Sequence, residues 1–324
     1  MEVKFSDSIL NAYAAASTAI ARAEERHALC LRPEILIARL RRSQLEALGS
    51  LEGELILPDV LAMEYGHSPR GWRHWPYAFA QVFARPLPAR AFPTTRLLLE
   101  WLEGEALPGG TPYPAITPRR PLTPDADRID AWLRSMPTLR DLPRLLAGAD
   151  MAASWARIAP LAHGNVVIGV MLGERFALGS NKLTAGGLAA IGLMQKQIGW
   201  MGLATSKADD EFDEPDVVGR TERYRLAWLE ALTAGALAVV GMDQRLRIWL
   251  GKLDDACLLK RRSSHLRALA EFAAAQSSIT AGMAAARLQL SRQGATTLIE
   301  EACGAHLLRE VTHGNAFRRY VATI

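Results

Sequence analysis

The fold class predicted by this sequence is mainly α: a helical bundle with two short strands near residue 324. Three observations predict it. Apolar residues recur at helical spacing along most of the chain. Strand-like alternation is confined to residues 307–321 and to Leu51–Leu57, a stretch too short for a helix. No segment repeats at the periods of solenoids. At ~100–200 residues per domain, the length predicts two or three domains.

In chain order, Asp7–His27 places Ile9, Tyr13, Ala16, Ile20 and Ala23 on one stripe behind Ser6, a natural cap. Pro33 suits a first helical turn, and Glu34–Leu48 follows as a second helix that Gly49 should end. Pro58 opens a short helix closed by Gly66. Residues 68–82 interleave basic and aromatic side chains (Trp72, Arg73, His74, Trp75, Tyr77). That pattern can stack single-stranded nucleic acid, but the plainer reading, taken here, is a helix start with core aromatics. Phe92–Leu107 is a helix with Leu97, Leu98, Trp101 and Leu102 inward.

Six prolines and the Gly109-Gly110 pair in residues 108–124 remove donors and fix φ, so a semi-rigid linker or surface loop is expected there. Helices are predicted at Asp125–Ser135, Leu139–Ala147, 151–162, about 165–175, 184–199, Val217–Met242 and Gln244–Lys260. Gly186, Gly187 and Gly192 admit close helix packing as readily as a ligand contact. The acidic run 207–216 lacks the spacing of a calcium loop and reads as an exposed loop. The expected division is an N-terminal helical region (1–107), the linker (108–124), a helical body (125–260) and a C-terminal module (261–324).

Composition sets outer limits. Apolar residues at 49% and charged residues at 22% fit a globular chain that needs no covalent staples. Cys30, Cys257 and Cys303 lie far apart without ligand spacing, which predicts a reduced, cytoplasmic protein. Residues 1–16 carry charge inside their apolar stretch, unlike a signal peptide. No uncharged apolar run of ~18 residues appears, so no membrane span is predicted. The net charge is +4, yet from Lys260 onward basic residues exceed acidic ones by five. A local basic excess is what phosphate neutralisation needs.

The C-terminal module has the element order of a winged helix-turn-helix. A helix follows Ser263. Thr280 caps Ala281–Leu288, Gln289-Leu290 turns, and Ser291 caps Arg292–Cys303. Arg292, Gln293, Thr296 and Thr297 share one side of that last helix, while Ala295, Leu298, Ile299 and Ala302 can pack inward. Arg and Gln match guanine and adenine edges bidentately, and capped helix starts bind phosphate. Leu307–Val311 and Phe317–Val321 can pair around residues 312–316, which places His313, Asn315, Arg318 and Arg319 at a wing that would reach DNA. Glu300 and Glu301 lie late on the third helix, so its N-terminal end should enter first.

Motifs for catalysis are absent: there is no GxxxxGK[ST], no GxGxxG behind a strand, no GxSxG and no HExxH, and the seven histidines are scattered. No metal or cofactor is expected. Residues 158–169 (IAPLAHGNVVIG) nevertheless resemble the signature of the nucleotide-transferring Fic family, H-P-F-x-D/E-G-N-G-R between two helices. Pro160, Gly164 and Asn165 match it. Ala159 stands where the family has its catalytic histidine, His163 its metal-binding acid, Val166 a glycine and Val167 the phosphate-binding arginine. Alanine takes no proton, histidine is a poor magnesium ligand beside a carboxylate, and valine brings bulk without charge. The resemblance thus implies a degenerate Fic-like loop in a body that is not an enzyme.

Residues 44–63 also resemble the N-terminal Fic segment in which a helix ends in S-x-x-I-E-G. Glu52 and Gly53 match, Leu51 stands for the isoleucine and Leu48 for the Ser/Thr. In active members that glutamate pairs with the arginine replaced here by Val167. Many Fic proteins also end in a winged helix. From Ala19 onward the chain resembles an uncharacterised alphaproteobacterial family, often plasmid-borne, that joins a helical domain of unknown function to a C-terminal helix-turn-helix.

Together these readings predict a DNA-binding transcriptional regulator whose helical body dimerises or senses a partner or ligand. Double-stranded DNA is the expected partner, and a homodimer fits two half-sites. Two other classes stay open. One is a Fic-type nucleotidyl (AMP) transferase working through displaced residues; the other is an interaction scaffold that binds no nucleic acid.

Overall fold

The computed structural model describes residues 5–51, 94–103, 124–136, 141–179, 187–205, 217–258, 265–312 and 318–324. Its helices are α1 (Asp7–Ala28), α2 (Pro33–Leu51), α3 (Thr95–Glu103), α4 (Ala126–Ser135), α5 (Arg144–Ile158), α6 (Asn165–Leu178), α7 (Leu188–Gln195), α8 (Trp200–Thr205), α9 (Val217–Leu258), α10 (Leu266–Ala275), α11 (Ala281–Leu288) and α12 (Arg292–Gly304). Two strands follow, β1 (Leu308–Glu310) and β2 (Tyr320–Ala322). The mainly α class holds. The expected Pro58 helix, the aromatic stretch 68–82, linker residues 108–123, the acidic run 207–216 and Glu52-Gly53 lie outside the described residues.

Several boundaries differ from expectation. Gly49 does not end α2, which runs to Leu51. Residues 151–158 do not begin a new helix; α5 passes through Gly148 without a break. The helices expected at Val217–Met242 and Gln244–Lys260 are, as far as Leu258, one helix of 42 residues with Asp243 inside it. Asp243 is fully buried and pairs with Arg247 one turn on, at 2.8 Å. The short α8 was not expected. The stretch Gly219–Leu258 is long and apolar enough to cross a membrane by length and composition alone. However, its Trp228, Leu229, Leu232, Leu246 and Trp249 are buried in protein, as a core helix requires.

The chain divides into two compact units. The first comprises the described parts of Met1–Ala23, Ser43–Leu55 and Arg73–Ala238. Its centre is the α5–α6 hairpin, in which backbones touch. A Cβ on Gly173 would sit 2.3 Å from the Gly148 carbonyl, and one on Gly169 2.7 Å from the Ala152 carbonyl. A second close crossing joins α7 to α9, where a Cβ on Gly192 would lie 1.8 Å from the Ala231 carbonyl and one on Gly235 1.9 Å from that of Leu188. Trp132 of α4 meets Trp155 of α5 edge to face at 4.8 Å, and its Nε1–H donates to Ser154 Oγ. Asp150 of α5 accepts from Tyr224 Oη at 2.9 Å and from both Nε and Nη2 of Arg225 on α9.

The second unit comprises the described parts of Glu24–Arg42, Ile56–Trp72 and Val239–Ile324. One core joins Ile35 and Leu36 of α2, Leu246, Trp249 and Leu253 of α9, and the inner faces of α10, α11 and α12. Trp249 Nε1–H donates to the Leu307 carbonyl at 3.1 Å, fixing α9 against the chain just before β1. Arg39 is buried; its Nε–H donates to the Ala274 carbonyl, and burial lowers its pKa to about 10. β1 and β2 pair antiparallel with Arg309 opposite Val321.

Candidate functional site

The end of the second unit is built from local signals. Thr280 Oγ1 accepts from the Met283 N–H at 3.2 Å and Ser291 Oγ from the Gly294 N–H at 3.0 Å, so both caps act where the sequence placed them. Between α11 and α12 Gln289 is left-handed (φ 54), and the Leu290 N–H returns to the Ala285 carbonyl. The turn therefore takes only two residues, Gln289 and Leu290. Ala295, Ile299 and Ala302 are fully buried and Leu298 packs beside them, which turns the opposite side of α12 outward.

Between α10 and α11, Ile279 forms a bridge with Tyr320 of β2. Each residue donates its N–H to the other's carbonyl at 2.9 Å. β2 thus lies between β1 and an extended point that precedes α11. This link was not read from the sequence, because nothing local marks Ile279 as extended.

The side chains proposed for nucleic acid are distributed unevenly. Arg292, Gln293 and Thr297 are exposed at or near the start of α12. Thr296 is half-buried, and its hydroxyl donates to the Arg292 carbonyl at 3.0 Å. Arg318 is half-exposed and lies 3.7 Å from Glu310. Arg319 points inward: it is 6% exposed and its Nη1 donates to Ser278 Oγ at 3.1 Å, while burial lowers its pKa. His313 and Asn315 lie outside the described residues.

In the first unit, the loop 159–164 joins α5 to α6. Ala159 ends α5 in the left-handed region (φ 48), and Gly164 (φ 78) opens α6 without a side-chain cap. The Asn165 side-chain amide closes the loop on Leu161, with Oδ1 accepting from its N–H at 3.0 Å and Nδ2 donating to its carbonyl at 2.7 Å. The Pro160 carbonyl accepts from the Asp125 N–H, and Arg128 Nη1 donates to the Ala159 carbonyl. His163 is exposed, whereas Pro160 and Val167 are buried. The matched Gly-Asn pair thus serves the turn, and the two valines serve the core.

Glu174 was missed by sequence reasoning. Its carboxylate is 1% exposed and accepts the N–H groups of Gly187 (2.9 Å), Leu188 (3.1 Å) and Ala189 (2.8 Å), the opening of α7. Burial pushes its pKa up against the pull of those donors. The available signal was an acid alone in an apolar helix. Among the described residues no three His, Cys, Asp or Glu side chains gather as metal ligands.

The architecture is that of a mainly α, Fic-like protein. A crystal structure of a Fic family protein from Desulfovibrio desulfuricans G20 aligns with a TM-score of 0.51 over 99% of this chain and 97% of its own, at 16% identity. At that identity the likeness speaks for the fold alone. No family model and no curated protein matches the chain.

Proposed function

We propose that the protein binds double-stranded DNA through residues 265–324, folded as a winged helix-turn-helix, and regulates transcription. The carrying observation is the arrangement of two capped helices, α11 and α12, joined by a two-residue turn and backed by the β1–β2–Ile279 bridge. α12 would enter the major groove by its N-terminal end. Arg292 and Gln293 are exposed there, beside N–H groups and a Ser291 hydroxyl suited to a phosphate. Arg318 would contact backbone from the wing. Arg319 holds the sheet to Ser278 and contributes to the fold.

On this reading the Fic-like body is not an enzyme. Ala159, His163 and Val167 do not fit the chemistry of nucleotide transfer: no base, no carboxylate for a metal and no cation for phosphate. The second reading is a Fic-type nucleotidyl transferase using other residues. Incubation with labelled nucleotides and magnesium or manganese tests that; label on protein would favour it.

DNA binding is tested by retention on mixed duplex fragments at low salt. The wild-type chain should bind, and Arg292→Ala with Gln293→Ala should lose most of that affinity without loss of helicity. Unchanged retention in the double variant would sink the DNA reading. The interaction-scaffold reading predicts neither activity and a specific protein partner in a pull-down.

A further inference from the structure

The second half of α9 carries an outward face that the core does not use. Leu246, Trp249, Leu250 and Leu253 point inward. On the other side, Gly241, Gln244, Ile248, Gly251, Asp255 and Leu258 recur at alternating spacings of three and four, the seam of a helix pair. Ile248 is 64% and Leu258 81% exposed. A Cβ on Gly251 would meet nothing within 4 Å, and one on Gly241 only the Arg245 guanidinium. The face therefore offers two large apolar knobs and two holes without side chains. All of it belongs to the second unit.

We infer that this face binds the same face of a second copy of the chain, antiparallel about a two-fold axis. With the axis between residues 249 and 250, each Ile248 lies across from the other copy's Gly251 and each Leu258 across from its Gly241. Both knobs then meet both holes in a single register, as a self-complementary interface requires. The charges agree with that register. Gln244 lies across from Asp255, and Arg245 of each copy comes beside Asp255 of the other. Both ends are available, since Arg245 and Asp255 are exposed and neither takes part in an ion pair among the described residues. A parallel pair would instead set Asp255 against Asp255 at the seam. The contact spans only about five turns of one helix, so a weak, concentration-dependent dimer is expected.

Sedimentation of the full chain without DNA, from micromolar to hundreds of micromolar, tests this independently of the DNA-binding reading. A monomer–dimer equilibrium is expected. Ile248→Asp should weaken it about tenfold or more, because it removes the central anchor. Arg245→Asp should weaken it, and Arg245→Asp combined with Asp255→Arg should restore it. These are exposed positions, and circular dichroism checks that the helices persist. A chain monomeric throughout the range, or a dimer indifferent to Ile248→Asp, overturns the proposal. A charge-reversed pair that fails to recover overturns the antiparallel register.

Discussion

Glu174 does for α7 what a serine or threonine does for α11 and α12, but from another helix. The cap position itself is Gly187, whose φ of 138 leaves no room for a capping side chain. Removing the carboxylate strands three buried N–H groups, each costing about 1–3 kcal/mol. Glu174→Ala should therefore lower the urea midpoint severely, whereas Glu174→Gln, which keeps one acceptor, should cost less. Equilibrium unfolding of the three proteins checks this order. The caps at Thr280 and Ser291 were legible because a cap and its helix are adjacent in sequence. The partners of Glu174 are backbone amides 13 to 15 residues away, and amides carry no sequence signal.

Tyr224 offers a titration. Burial first, then the Asp150 carboxylate, raises its pKa to about 12 from 10. A group raised in the folded state stabilises the fold fully below its unfolded pKa. That stabilisation is lost as pH rises from 10 through about 12. Absorbance titration should show a late-ionising component that Asp150→Asn brings earlier. If Asp150→Asn leaves the titration unchanged, this environment of Tyr224 is wrong.

At the scale of elements, glycine and aspartate misled the reading of helix ends. The gap expected between Ala147 and residue 151 is helical, and Gly148 within it is a glycine because the Gly173 carbonyl of α6 leaves no space for a side chain there. Asp243 looked like a break in an apolar run. Its Arg247 partner at i+4 was visible in the sequence and is the usual way a helix keeps a buried acid. Interior glycines therefore separate by contact. Gly235→Ala forces a Cβ within 1.9 Å of the Leu188 carbonyl and should cost about 1–3 kcal/mol or more. Gly202→Ala meets nothing within 4 Å and should be neutral or stabilise by up to ~1 kcal/mol. Thermal unfolding distinguishes the two, and equal effects would contradict the crossing.

For the whole molecule, helical periodicity made the mainly α class legible, and the order of caps, turn and strands made the C-terminal elements legible. The two units were not, because each collects separate stretches of chain and α1, α2 and α9 contribute to both. Periodicity reports which face of a helix is buried, never which neighbour buries it. The basic excess after Lys260 gives the DNA reading a quantitative form. Retention should fall steeply with salt, and Arg318→Ala should reduce the slope of log affinity against log salt by about one. A slope unchanged by that substitution would mean Arg318 touches no phosphate.

The crossing of α5 and α6 has a consequence for descent. Gly148, Ala152, Gly169 and Gly173 cannot gain bulk one at a time, since each enlargement pushes two backbones apart. The exposed side chain of His163, in the loop between the helices, is under no such constraint. As related chains diverge, these four positions should stay small while His163 wanders. Distant kin of this protein are then better sought by these four small residues at fixed spacing than by the residues of the loop.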